Sequence, residues 1–219
     1  MTHLGLRFDD IKLRARDLSV HSADETVVLA GQLAHRASRE SRLRALATRI
    51  TDRLIRVDVN GSAEIARFVR RAIRYRMETP GVEILQGPFT TLETKVGDCD
   101  DLVILWVALC RSIGIDATFA GVRQKGGTDY VHAIGYLPAE KTFVELTDDR
   151  VYGGRRQPLL SGSLPAGLEA LYWSPVDGRL VLAQGGGASF TRGALRVVDR
   201  PGFGAVATLG VLALLLWRS

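Results

Sequence analysis

From residue 22 to residue 76, apolar positions recur at helical spacing. Val27, Val28, Leu29, Leu33 and Ala34 predict a first helix, with Ser22 as its N-cap and Asp24 and Glu25 in its first turn. Leu43, Leu46, Ala47, Ile50 and Leu54 predict a second, whose Arg42, Arg49, Arg53 and Arg56 gather on another face. Asn60-Gly61 interrupts that pattern, and Ser62 is expected to cap a third helix with Ile65, Phe68, Val69, Ala72 and Ile73 along its stripe. Arg67, Arg70, Arg71 and Arg74 turn outward on it, and it must stop before Pro80. Upstream, Leu4, Leu6, Phe8, Ile11 and Leu13 suit an edge strand or an extended arm, while residues 80–96 read as a loop.

The next stretch has apolar residues on every face. Leu102, Leu105, Trp106, Leu109 and Ile113 form one stripe with Val103, Val107 and Cys110 beside it, and Gly114 is the expected C-cap. A helix apolar all round is buried in the core. It is preceded by Gly97-Asp98-Cys99-Asp100-Asp101, a turn that puts a cysteine at the helix N-terminus. Backbone N–H groups there favour a thiolate and can receive an oxyanion, although the three neighbouring aspartates oppose the negative charge.

Beyond Gly114 the period changes to two. Ala117–Arg123, Tyr130–Leu137 and Thr142–Thr147 predict three strands joined by short turns, an antiparallel meander. Helices first and strands second favour an α+β fold over alternating α/β. Residues 148–200 are rich in Gly and Pro and predict only a helical turn near Leu168–Leu171 and a hairpin around Asp177-Gly178. The last segment, Gly202–Trp217, is uncharged between Arg200 and Arg218. As a helix it would be roughly 24 Å long, a marginal membrane span, or else a helix docked on protein. The division expected is an arginine-rich helical extension (1–61), a core (62–149), a Gly/Pro-rich segment with short strands (150–200) and an apolar terminal helix (201–219).

Charge and cysteine usage narrow the picture. Residues 1–76 hold 16 Lys and Arg against 9 Asp and Glu, so the excess of +5 lies entirely in the helical half. That half offers a surface for phosphates or an acidic partner, or is a solvated face. Two cysteines without a CxxC exclude a cysteine-rich zinc site, and eleven residues apart on one helix they are too far apart for a disulfide. The first ten residues lack an apolar signal core, so synthesis in a reducing cytoplasm is expected, with attachment to a membrane or virion through the last helix as the further option.

His132 lies in the second strand, and Asp148 with Asp149 ends the third. If the meander packs on the buried helix, Cys99, His132 and an aspartate meet as nucleophile, base and orienting group. Gln86, in the preceding loop, is a candidate to aim its amide at the oxyanion. A metal site built from His132, Cys99 and the aspartates has the right atoms but only one histidine, so no metal is expected.

Gly97-Asp98-Cys99-Asp100-Asp101 with its apolar helix, Gly114-Ile115-Asp116-Ala117, His132-Ala133-Ile134-Gly135-Tyr136 and Phe143-Val144-Glu145-Leu146-Thr147-Asp148 together resemble the transglutaminase-like cysteine protease superfamily. Ala72-Ile73-Arg74-Tyr75 and Gly81-Val82-Glu83-Ile84-Leu85-Gln86 are similar to its phage and prophage versions. The resemblance covers residues 62–149. It implies a papain-like core, Cys99 as nucleophile, His132 as base and an acid after the third strand. The family's acid falls four residues after the strand's aromatic, where this chain has Thr147, so the role passes to Asp148 with Asp149 in reserve. The expected function is a cysteine-nucleophile acyl transfer through a thioester, with water or an amine as acceptor. A phage structural or assembly protein that keeps the fold with little activity is the alternative. Peptide, protein or peptidoglycan is the expected substrate, phage structural proteins are candidate partners, and neither nucleic acid nor a cofactor is expected.

Overall fold

The computed structural model describes residues 11–14, 23–52, 59–77, 82–126, 130–147, 159–164, 167–174 and 181–182. In chain order its elements begin with β1 (Ile11–Arg14), α1 (Ala23–Ser38), α2 (Ser41–Thr51), α3 (Val59–Ala72) and β2 (Arg74–Tyr75). They continue with β3 (Val82–Leu85), α4 (Pro88–Thr94), β4 (Val96–Gly97), α5 (Cys99–Ser112), β5 (Thr118–Gln124) and β6 (Tyr130–Leu137). The last are β7 (Thr142–Val144), β8 (Leu160–Ser161), β9 (Leu168–Ser174) and β10 (Val181–Leu182). Asp148, Asp149 and the apolar segment 202–217 lie outside the described residues.

α5 is the hub. Every residue from Asp100 to Cys110 is buried, as its all-round apolar sequence requires. Helices α1 to α4 pack against it, and β6 crosses it from the other side. Its C-terminus closes as a Schellman motif: Gly114, at φ +86°, donates to the carbonyl of Arg111 and Ile115 to that of Cys110. The Arg44 Nε on α2 donates to the carbonyl of Ser112 at 2.9 Å, placing a cation at the negative end of the helix.

The main sheet has six strands in the order β10-β9-β5-β6-β7-β8, every neighbouring pair antiparallel. Its centre is the expected meander β5-β6-β7. Alternation divides the side chains between two cores: Phe119, Ala133, Leu137, Val144 and Leu146 join the α5 side, while Ala120, Val122, Ile134, Tyr136 and Phe143 form the other. Gly135 sits where β6 touches the helix, since a Cβ there would stand 2.5 Å from Cζ3 of Trp106. Trp106 fills the gap from the α5 side and donates its Nε1–H to the carbonyl of Ser62 at 3.1 Å.

Three expectations are corrected. Asn60-Gly61 does not break the helices, because α3 starts at Val59; Gly61, Ser62 and Ala63 are buried, small side chains that let α3 approach Trp106, and this packing outweighs their low helix propensity. Residues 80–96 are not simply a loop. β3 pairs with β1, the helix α4 begins with Pro88 at its first position, and β4 runs parallel to β2. Leu168–Ser174 is a strand rather than a helical turn, held along the length of β5. The arm expected near the N-terminus is present as β1, and β10 folds back on β9 as the expected hairpin would.

Candidate active site

Cys99 is the first residue of α5, half-buried, with its Sγ 3.9 Å from an Asp100 carboxylate oxygen. The turn before it is built by two carboxylates. Oδ1 of Asp98, the N-cap, accepts from the backbone N–H groups of Asp100 (3.1 Å) and Asp101 (3.3 Å). Asp101 returns the bond, its Oδ2 accepting from the Asp98 N–H at 3.2 Å, which completes a capping box. Asp101 also accepts from the Gln86 backbone N–H (2.7 Å) and side-chain amide (2.5 Å). The remaining Gln86 amide hydrogen goes to the carbonyl of Val96 at 3.3 Å, so in this arrangement the amide serves Asp101. Gly97 is demanded by the same packing, because a Cβ there would lie 2.7 Å from that of Asp101.

Two buried carboxylates in reciprocal contact cannot both ionise cheaply. Burial raises Asp98 above the ordinary carboxylate range against the pull of its N–H donors and of the charge on His132. Asp101 is pushed up to about 8, first by burial and then by the charge of Asp98, with the Gln86 donors opposing.

His132 is paired with a carboxylate not named from the sequence, while Asp148 and Asp149 lie outside the described residues. His132, the third residue of β6, is buried, and its Nε2 lies 3.1 Å from Oε2 of Glu145, which is itself buried. Glu145 is fixed on three sides. Its backbone N–H donates to the carbonyl of Leu159 (3.0 Å), and its Oε1 accepts from the backbone N–H (2.8 Å) and hydroxyl (2.6 Å) of Thr147. Thr147, where the resemblance would have an acid, thus supports the acid two residues earlier. The missed signal was register: Tyr136 pairs with Phe143 and Gly135 with Val144, so the next step places Glu145 diagonally across from His132.

Among the described residues, Asp98, Cys99 and Asp100 are the group whose ligand-type atoms lie close enough for a metal, within 4.8 Å of one another. The Asp98 Oδ1 is already taken by two backbone N–H groups, which is what an N-cap does without a metal.

A buried helix with a cysteine at its tip and an antiparallel meander bearing a histidine is the core that the sequence implied, and comparison with family models agrees. Residues 44–143 match the transglutaminase-like superfamily. Cys99 and His132 fall inside the matched stretch, and Glu145 lies two residues beyond it. The fold is accordingly α+β with a papain-like, transglutaminase-like core. A solved structure described as "a Putative Cysteine Protease from Cytophaga hutchinsonii" is similar at 15% identity and a TM-score of 0.37, over 59% of this chain and 46% of that one. The chain thus spans about half the length of that protein. No curated protein matches. Among the described residues no helix is long and apolar enough to cross a membrane.

Proposed function

We propose that the protein is a cysteine-nucleophile acyl-transfer enzyme acting on an amide, with Cys99, His132 and Glu145 as nucleophile, base and positioning acid. The observation that carries this reading is the buried His132–Glu145 pair on the meander that packs against α5, the helix that begins at Cys99. With Glu145 ionised, Nε2 of His132 carries the proton it donates to that carboxylate, which leaves Nδ1 as the acceptor. In the first step Nδ1 takes the thiol proton while the sulfur bonds to the acyl carbon, whose carbonyl electrons move onto oxygen. The Cys99 N–H and the positive end of the α5 dipole favour the developing oxyanion, since the N–H groups of Asp100 and Asp101 are held by the Asp98 carboxylate. Collapse breaks the C–N bond, and the amine leaves with the proton from His132, giving a thioester. Water or a second amine, deprotonated by the same imidazole, then releases Cys99. A peptide, protein or peptidoglycan amide supplies the acyl group, and Asp148 is the alternative positioning acid.

Labelling with iodoacetamide at about pH 6 tests this, since an unperturbed thiol is almost entirely protonated there. Cys110 is fully buried, so uptake reports on Cys99. The wild-type protein should label quickly and a His132→Ala variant slowly. Equal, slow labelling of both would exclude the enzyme.

A further inference from the structure

A cleft of about 400 Å³ opens where the end of α3, β2, the turn before β4 and the first turn of α5 come together. Leu102 and Leu146 contribute an apolar floor, and Arg70, Arg71, Arg74 and Lys95 are its charged members. Among the described residues no aspartate or glutamate lines it and none of the four cations is in an ion pair. Arg71, Arg74 and Lys95 are exposed and Arg70 half-buried. Like charges gathered in one concavity repel until an anion enters. Lys95 holds the left-handed conformation (φ 56°) at the C-cap of α4, where glycine is the usual residue, and so brings a cation to the mouth of the cleft.

The cleft belongs to the neighbourhood of the candidate site. Leu102 stands one turn along α5 from Cys99, Leu146 follows Glu145, and Lys95 precedes the strand that runs into Asp98. Arginine forks match carboxylates in two-point contact, and an aliphatic stem between carboxylate and backbone would lie on the leucine floor. A volume of this size takes one or two peptide side chains, whereas a nucleic-acid duplex needs a long open stripe of cations. We propose that the cleft receives the carboxylate-bearing part of the peptide whose amide Cys99 attacks, so that the substrates are acidic peptides; the word substrate rests on the acyl-transfer reading above, while the anion site does not.

Binding separates the two. In full-length Cys99→Ala protein, fluorescence anisotropy with a labelled tetraglutamate peptide should give saturable binding that weakens with salt, and tetraglutamine should not bind. An Arg71→Gln/Arg74→Gln pair should weaken tetraglutamate by roughly tenfold or more, since two charge-assisted contacts go. An Arg49→Gln/Arg67→Gln pair, exposed elsewhere on α2 and α3, should change it less than about twofold. All four arginine positions are solvent-accessible, and unchanged thermal melts confirm folding. Equal losses from both pairs, equal binding of tetraglutamine, or displacement of the peptide by a short DNA duplex of the same charge would each overturn the assignment. Because this readout involves neither the thiol nor turnover, a negative labelling experiment leaves it standing, and its own failure leaves the thiol chemistry standing.

Discussion

At the tip of α5, Asp98 and Asp101 are buried against each other, while across the site Glu145 is buried against His132. The same residue class meets opposite company. Burial first, and then the like charge of Asp98, favour a proton on Asp101. A carboxylate beside an imidazole is instead a hydrogen-bonded pair of complementary groups, here Glu145 with His132. One half of the site therefore fixes the backbone around Cys99, and the other is, on the acyl-transfer proposal, the half that carries charge during the reaction.

The most direct way to break that division is to remove a reacting group. Cys99→Ala should abolish amidase or transfer activity, by about 10³-fold or more, with the melting temperature little changed because the half-buried side chain sits at the tip, on the margin of the core. Cys110→Ala should keep the activity and cost about 1 kcal/mol of stability, as a buried side chain is shortened. Turnover lost with Cys110→Ala and retained with Cys99→Ala would reassign the nucleophile.

The charged half is sharpened by its acid. Glu145→Gln keeps the shape but loses the charge that steadies the imidazolium, so kcat should fall by about a hundredfold or more with a smaller change in KM. Asp148→Asn should do less. The reverse order in a kinetic comparison would return the role to Asp148. Glu145→Ala should in addition destabilise the fold by about 3 kcal/mol, because His132 and the Thr147 donors lose a buried partner.

These experiments fall on residues that differed in how readable they were. The tip of α5 was legible because its parts are contiguous: a glycine, an aspartate cap, the cysteine and an apolar run lie within one local element. The meander was legible for the same reason, since short turns force neighbouring strands to pair. The pairing of Glu145 with His132 was not, because it rests on a diagonal across the meander that only the register of β6 and β7 fixes. Gln86 was picked out, but its partner Asp101 was not, since fifteen residues separate them and only tertiary packing brings them together. Gly61 and Ser62 misled the reading because burial against Trp106, a long-range effect, outweighed local propensity.

The distance between the two halves is set where β6 meets α5. Gly135→Ala would drive a methyl group into Trp106, which is fully buried and has no room to turn. A loss of about 2–3 kcal/mol in urea unfolding is expected, from overpacking. Activity at permissive temperature should fall too, since the strand carrying His132 is pushed from the helix carrying Cys99. A neutral Gly135→Ala would mean that the contact is loose.

The smallest effect tests the assignment of charge at the helix tip. The folded-state pKa of Asp101, about 8, lies above the ordinary value of 3.8, so the folded chain holds this proton more tightly than the unfolded one. Its contribution is complete below about pH 4 and is lost as pH rises through about 8. Asp101→Asn removes the titration while keeping the shape. Relative to that variant, the wild-type protein should therefore lose unfolding free energy as pH rises across this window, by at most about 1.4 kcal/mol per unit, the limit for one proton. Asp98 is raised for the same first reason, burial, and works in the same direction. The opposing influence is specific: three N–H groups, two of them from Gln86, point at the Asp101 oxygens and favour its ionised form. If urea titrations show the wild-type protein gaining on Asp101→Asn with rising pH, these donors outweigh burial. The tip of α5 would then carry a full negative charge beside Cys99, and its contrast with the His132–Glu145 half would disappear.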